Sequence, residues 1–187
     1  MPKTERRYLK ELEKVLYDQK WLKKAKNFPV YYIKRGVNQK DGLRYDNTVI
    51  RAKMLGKEFT KTKGNQNSKN YQELYTVLEG KAIFLMQKFQ GGEVKDVVAV
   101  KARKKEWVIV PPRYYLISIN PSKNILKLGN WVSKKNRNIY EDLERKKGAC
   151  YYYTKSGWIK NKNYKKVPKL KFKKPLKSIP KDLDFLK

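Results

Sequence analysis

The chain contains no histidine. That absence removes the usual general base and the commonest metal ligand, so a nucleophile activated by imidazole and a metal held by imidazole are both excluded. There is one cysteine, Cys150. No disulfide can close within the chain, and the lone thiol, with no imidazole beside it, reads as a small buried hydrophobe. Acidic residues are scarce: 17 Asp and Glu stand against 47 Lys and Arg, a formal net charge of +30. No apolar run is long enough to cross a bilayer. No basic amphipathic helix carries the bulky apolar anchors of a membrane-surface segment. The opening MPKTERRYLKELEK is charged throughout and lacks the apolar core of a secretory leader. No glycine-rich phosphate-cradling loop occurs. The expectation from these absences is a cytoplasmic chain with no membrane partner and no cofactor.

What is present can fold. Hydrophobic residues make up 40% of 187 residues, rich in Tyr, Val, Ile and Leu, enough for one domain with a core and tails. The charge excess is spread along the chain. Residues 1–29 hold nine basic and four acidic residues, and 160–187 hold eleven and two, so most of the excess belongs to the body between. An AT-rich genome inflates Lys, Asn, Ile and Tyr, but it does not account for so few acids. A chain that raises Lys alone repels itself unless a polyanion offsets the charge. Nucleic acid is the commonest such partner, because each phosphate contact releases counterions.

Residues 5–26 carry Tyr8, Leu12, Val15, Leu16 and Leu22 at spacings near three and four, which predicts one helix ended by Phe28-Pro29. From Val30 the period becomes two. VYYIKRGV, LRYDNTVI, KEFTKTKG, ELYTVLEG, KAIFLMQKF, VKDVVAVKA, EWVIVPP, YYLISIN and ILKLGNWV follow one another as short β-branched and aromatic segments. Glu79-Gly80 and Gln90-Gly91-Gly92 read as hairpin turns, and Lys155-Ser156-Gly157 as another. Ile139–Lys147 reads as a short helix stopped by Gly148. No βαβ alternation is present, so the pattern predicts a barrel or sandwich. The last 28 residues are Lys-rich with three prolines, and LKFKKPL reads either as an edge strand or as an extended arm.

One stretch, Thr62–Gly80, has the layout of a metal-binding barrel motif. Glu73 is followed by six residues and Gly80; before it, at the spacing of a His-x-His pair, stand Asn65 and Asn67. A second motif follows in register: Lys105, five residues, Pro111-Pro112-Arg113, two residues, Leu116, three residues, Asn120. The two together resemble the cupin signature, with proline and asparagine kept but both glycines and the histidine replaced. TKG before the first motif, ELY within it, VPP before the second and NIYEDLERKKG after the barrel resemble the archaeal-type cupin glucose-6-phosphate isomerases, over roughly Thr48 to Lys166.

The resemblance implies a mainly β chain, a single jelly-roll-like antiparallel cupin barrel. The expected division is an N-terminal helix packed on the barrel (1–29), the barrel with its short helix 139–147 (30–159), and a basic C-terminal arm (160–187). It implies a divalent metal at positions that here read Asn65, Asn67, Glu73 and Leu116, where only the glutamate is a strong ligand. It also implies a sugar-phosphate pocket at Thr48, Thr62, Gly64, Tyr75 and Tyr140, whose hydroxyls and close backbone suit a phosphate. Glu73 then reads as a relic hydrogen-bonded to Asn65 or Asn67, or alternatively as the base of a surviving aldose–ketose isomerase. The family also implies a possible homodimer through the barrel.

The functional expectation is therefore a non-catalytic, metal-free cupin that binds RNA, ribosomal RNA with neighbouring ribosomal proteins in first place. Its expected contacts are Arg6, Arg7, Lys23 and Lys24; Arg103, Lys104, Lys105 and Arg113; and Lys165, Lys166, Lys171, Lys173 and Lys174. The aromatics of YYYTKSGWIKNKNYKK are expected either to stack on unpaired bases or to face the core. The alternative is the isomerase or sugar-phosphate binder.

Overall fold

A computed structural model describes residues 4–187. The chain begins with strand β1 (Thr4–Tyr8), a 3₁₀ segment Leu9–Val15 and the one-turn helix α1 (Gln19–Leu22). Strands β2 (Pro29–Lys40), β3 (Leu43–Ile50), β4 (Met54–Leu55), β5 (Glu58–Phe59), β6 (Asn65–Asn67) and β7 (Glu73–Glu79) follow. Then come β8 (Lys81–Gln90), β9 (Glu93–Arg103), β10 (Trp107–Val110), β11 (Tyr114–Ile119), β12 (Leu126–Ser133) and β13 (Asn138–Ile139). Helix α2 (Glu141–Arg145), strands β14 (Tyr151–Thr154), β15 (Gly157–Lys160) and β16 (Lys171–Lys173), and a terminal 3₁₀ turn Asp184–Leu186 complete the chain.

Two six-stranded sheets face each other, ordered β1-β2-β3-β12-β7-β10 and β13-β6-β11-β8-β9-β16; a small third sheet runs β15-β14-β5-β4. All pairings are antiparallel except β16 on β9. The core lies between the two large sheets and under α2, with Ile50, Val77, Phe84, Leu85, Tyr115, Leu126 and Leu128 among its fully buried side chains. No helix among the described residues is long and apolar enough to cross a membrane.

The N-terminal segment departs from the expected helix. Residues 4–8 instead form an edge strand on β2, and only Leu9–Val15 and Gln19–Leu22 coil. The apolar spacing was read correctly in kind: Leu9, Leu12 and Val15, three apart, are all buried, as the three-residue turn of a 3₁₀ helix requires. Tertiary partners decide the path. The Lys61 ammonium donates to the Val15 carbonyl at 2.8 Å, the Tyr17 N–H donates to the Glu58 carboxylate at 3.0 Å, and the Gln19 amide donates to the Glu13 and Leu16 carbonyls. Each takes a backbone group that a continuous helix needs for its own ladder. Residues 1–3 of the expected helical segment lie outside the described residues.

Two turns resolve differently. Gly91-Gly92, both at positive φ, close the β8–β9 hairpin as expected, with Gln90 paired to Glu93. Glu79-Gly80 does not close a hairpin: β7 belongs to the first large sheet and β8 to the second, so Gly80 is the corner between sheets. Its φ is +86°, and a Cβ there would meet the Ile125 carbonyl oxygen at 2.7 Å.

The C-terminal residues lie on the barrel and do not project as a free arm. Strand β16 extends the second sheet, Leu176 exchanges two backbone hydrogen bonds with Trp107 of the first, and Leu186 is buried against Leu43 and Leu74. The segment covers open sheet edges, which otherwise invite pairing with other chains.

Candidate functional site

Strand alternation builds a partly open cavity from the first sheet. In β3, Arg44, Asp46 and Thr48 are two apart and share the inward face; Tyr31, Ile33 and Arg35 do the same in β2, and Glu73 and Tyr75 in β7. The second sheet and its borders add Thr62, Gly64, Asn65, Leu116, Ser118, Asn138 and Tyr140, and β12 adds Asn130. Gly64, at φ +87°, leaves no space for a side chain, because a Cβ would stand 2.7 Å from Leu143 and 2.8 Å from Ile117. All five expected phosphate-pocket residues, Thr48, Thr62, Gly64, Tyr75 and Tyr140, thus line one space, together with Asn65, Glu73 and Leu116; Asn67 is buried behind them. The free volume is small, about 50 Å³, room for about three to five waters.

The charges inside are internally matched. Asp46 accepts from the Gly36 N–H at 2.8 Å and from Arg44 at 3.0 Å, and it pairs with Arg35 at 3.4 Å. Arg35 also pairs with Glu5 at 2.8 Å, and Arg7 with Glu5 and Glu11 at 3.3 and 2.9 Å. Glu73 is 5% exposed. Burial pushes its carboxyl up to about 7, against the opposing pull of the Asn67 amide and, more weakly, of Arg44 and Arg35. Burial likewise raises the Tyr31 phenol to about 12 and holds the Tyr75 phenol well above its ordinary value.

The donor set does not fit a divalent metal. Leu116 offers no ligand atom. The Asn65 amide donates to Asn67 Oδ1 at 3.4 Å, and Asn136 donates to the same oxygen at 2.9 Å, so the Asn67 oxygen is already engaged. Glu73 accepts from the Asn130 amide at 3.2 Å, and the Asn67 amide also draws on its carboxyl, in keeping with the expected relic contact. Among the described residues no group of three or more Cys, Asp or Glu is placed to hold an ion.

Sequence reasoning missed Arg35, Arg44, Asp46 and Asn130. Period two, counted back from Thr48, reaches Asp46 and Arg44, so for those two the signal was present. Nothing local marks Arg35 or Asn130, because strand neighbours bring them in. Arg7, expected on an RNA-facing exterior, instead lines the cavity in ion pairs.

The other expected basic contacts are exposed but do not form one surface. Strand β16 lies alongside β9 with Lys171 beside Val98 and Lys173 beside Val100, so Lys171, Lys173 and Lys174 run toward the Arg103-Lys104-Lys105 turn. Lys165 and Lys166 lie near Glu93 at the strand's other end. Arg6 stands on β1, and Lys23 and Lys24 follow α1, apart from that edge. Arg113 donates to Asn70 at 2.8 Å. The aromatic run is largely internal: Tyr151, Tyr152 and Tyr164 are buried, and Tyr153 packs on Phe59 at 5.2 Å and Trp158 at 4.7 Å.

Two facing antiparallel sheets around a central pocket, with the two motifs on β6–β7 and β10–β11, define a cupin. Residues 7–169 match the family model described as glucose-6-phosphate isomerase (GPI), and the chain belongs to that family. No curated protein matches it in sequence. Among solved structures it is similar to an oxalate oxidase in complex with the substrate analogue glycolate, at 11% identity over 60% of this chain and 55% of that one, TM-score 0.47. It is also similar to the Schizosaccharomyces pombe Cnp3 cupin domain, at 12% identity over 68% and 79%, TM-score 0.41. A third is the Drosophila melanogaster CENP-C cupin domain, at 12% identity over 54% and 65%, TM-score 0.39. The chain spans about half the length of the oxalate oxidase chains it resembles.

Proposed function

We propose that this chain is a non-catalytic, metal-free cupin with a degenerate metal site that binds RNA through its exterior. Its place is the cytoplasmic ribosome, against ribosomal RNA and neighbouring ribosomal proteins. The observation that carries the reading is where uncompensated charge sits. At the pocket, Arg35 and Arg44 are matched by Glu5 and the buried Asp46, and Arg7 at its partly exposed rim by Glu5 and Glu11. Outside, Lys101, Arg103, Lys104, Lys105, Lys173 and Lys174 gather along β9, β16 and the turn after β9 with no ion pair among the described residues, while Lys95, Lys171 and Lys177 beside them pair with Glu93, Asp96 and Glu106. Two of the basic residues are held at a conformational cost. Lys105 and Arg113 have φ of +71° and +65° at turns where the cupin pattern has glycine, a conformation that costs a side-chain-bearing residue about 1–2 kcal/mol.

The expected result is co-sedimentation of the purified chain with ribosomes at 50 mM salt. Binding falls by roughly 10³-fold or more by 200 mM if about six or more phosphates are contacted. A chain that stays at the top of the gradient at every salt concentration refutes the reading.

A second reading is favoured by one observation: Thr48, Thr62, Gly64, Tyr75, Tyr140 and Glu73 share a cavity. In this reading the chain binds a sugar phosphate, and Glu73 abstracts a proton beside the carbonyl. It predicts fructose 6-phosphate turnover that Glu73→Gln abolishes. No turnover with any divalent metal added removes the isomerase, and no calorimetric binding of the sugar phosphate removes the binder.

A further inference from the structure

A groove lies on the outer face of the second sheet. It opens where β8, β9 and the C-terminal segment meet and encloses about 450 Å³, within the size range of sites that hold a small ligand. Its walls carry Lys81, Lys101, Arg103 and Lys177 against one carboxylate, Glu106, which pairs with Lys177. Register puts the first three together: Lys81 lies opposite Arg103, and Ile83 opposite Lys101. Between the cations the lining is apolar, with Ile83, Pro121 and one side of Tyr153. Tyr153 is held by its contacts with Phe59 and Trp158, so it presents a fixed ring.

The sheet adds a second aromatic beside this groove. Phe172 is 59% exposed, the most exposed of the large hydrophobic side chains described. It pairs with Ala99, and residues paired across strands point to the same face. Phe172 therefore shares a face with Lys101 and Arg103, two and four positions further along β9. The offset to Lys101 is about 7 Å at the rise of a strand. An exposed ring flanked by cations, with a cationic groove next to it, is the arrangement that binds unpaired nucleotides: phosphates meet the ammonium and guanidinium groups, and bases lie on the aromatic faces. A duplex keeps its bases stacked inside and offers nothing to Phe172.

We propose that the β8–β9–β16 face, with Phe172 and the Lys81–Arg103 groove, is a docking site for single-stranded RNA. The inference rests on the RNA reading above and specifies which face acts and which form of RNA it takes.

The test is fluorescence anisotropy with a labelled 12-nucleotide oligouridine and a 12-base-pair RNA duplex, using the full-length chain. The expected order is oligouridine bound more tightly than duplex. Lys101→Gln with Arg103→Gln weakens oligouridine at least tenfold and flattens the salt dependence by about 1.4 in log–log slope. Phe172→Ala weakens it about tenfold with the salt slope unchanged, because stacking is not ionic. Lys23→Gln with Lys24→Gln, on a separate face, changes affinity less than twofold. All these side chains are exposed, and unchanged melting temperatures establish that the variants fold. If the chain binds oligouridine but the groove variants and Phe172→Ala bind as tightly as the parent, the site is wrong while the RNA reading stands. Equal or tighter binding of duplex overturns the single-strand assignment. Failure of the parent chain to bind either RNA overturns both.

Discussion

Replacing Lys61 with methionine is expected to cost about 3–5 kcal/mol of folding stability, the usual consequence of leaving a buried charge unpaired. Lys61 is 4% exposed and Glu58 1%. The ammonium pairs with the Glu58 carboxylate, donates to the Val15 carbonyl at 2.8 Å and stands 5.0 Å from the Tyr152 ring centroid. Methionine keeps the length of the side chain but removes both hydrogen bonds, stranding the carboxylate beside the Tyr17 N–H. For a chain of this size the melting temperature falls by roughly 6–20 °C. Burial already raises the Glu58 carboxyl above its ordinary value, and Lys61 is the main force pulling it down. Without Lys61 the carboxyl rises further, so the loss is larger at pH 8 than at pH 5, where protonation relieves it. The double variant Glu58→Gln, Lys61→Met is expected to be more stable than Lys61→Met alone, since no charge is left buried. Urea unfolding of the three proteins at both pH values decides this. Single-variant costs below 1 kcal/mol that add in the double would mean the pair does not tie the N-terminal segment to the barrel.

Glu73→Gln is expected to stabilise the protein by about 3 kcal/mol at pH 8 and by almost nothing at pH 4. The carboxyl is raised from 4.5 to about 7 in the folded state, chiefly by burial. A raised pKa means that the folded chain holds its proton more tightly than the unfolded one. The contribution is therefore fully present below about 4.5, is lost as pH climbs to about 7, and stays lost above. The interval of about 2.5 pH units corresponds to about 3 kcal/mol. Glutamine keeps the shape and hydrogen-bonding oxygen of the protonated acid without titrating, so other carboxylates cancel in the comparison. Chemical denaturation of parent and variant from pH 4 to pH 8 gives the difference directly. A difference that does not change with pH would mean that Glu73 is solvated or permanently paired. The same substitution abolishes turnover in the isomerase reading, so stability and activity separate a relic carboxylate from a working base.

Much of this molecule was legible locally. Period-two runs from Val30 to Val132 marked the eight longer strands of the two large sheets, β2, β3 and β7 to β12, but not β1, β6, β13 or β16, because only a strand half buried against a core over several residues writes its alternation into its sequence. The motif spacing around Glu73 and Pro111 located the pocket, and the lack of histidine said what the pocket could not hold. The N-terminal segment misled for a physical reason: apolar residues three and four apart satisfy an α-helix and a 3₁₀ turn alike. The choice was made by Glu58, Lys61 and the free edge of β2, all distant in sequence. Gly80 misled similarly, since a glycine at positive φ serves a hairpin and a corner between sheets equally well.

The charge shows the same division. Composition by itself established that the chain carries +30 and no imidazole, and motif order established its barrel and ancestry, because these depend only on residue identity and local spacing. Only the tertiary structure decided that Arg7, Arg35 and Arg44 are paired at the pocket, that Lys101, Arg103 and Phe172 share an outer face, and that the C-terminal lysines lie along a sheet edge. Such pairings are set by strand register and by contacts between residues far apart in sequence. Identical charges in the sequence become neutralised or available according to which neighbours the fold places beside them.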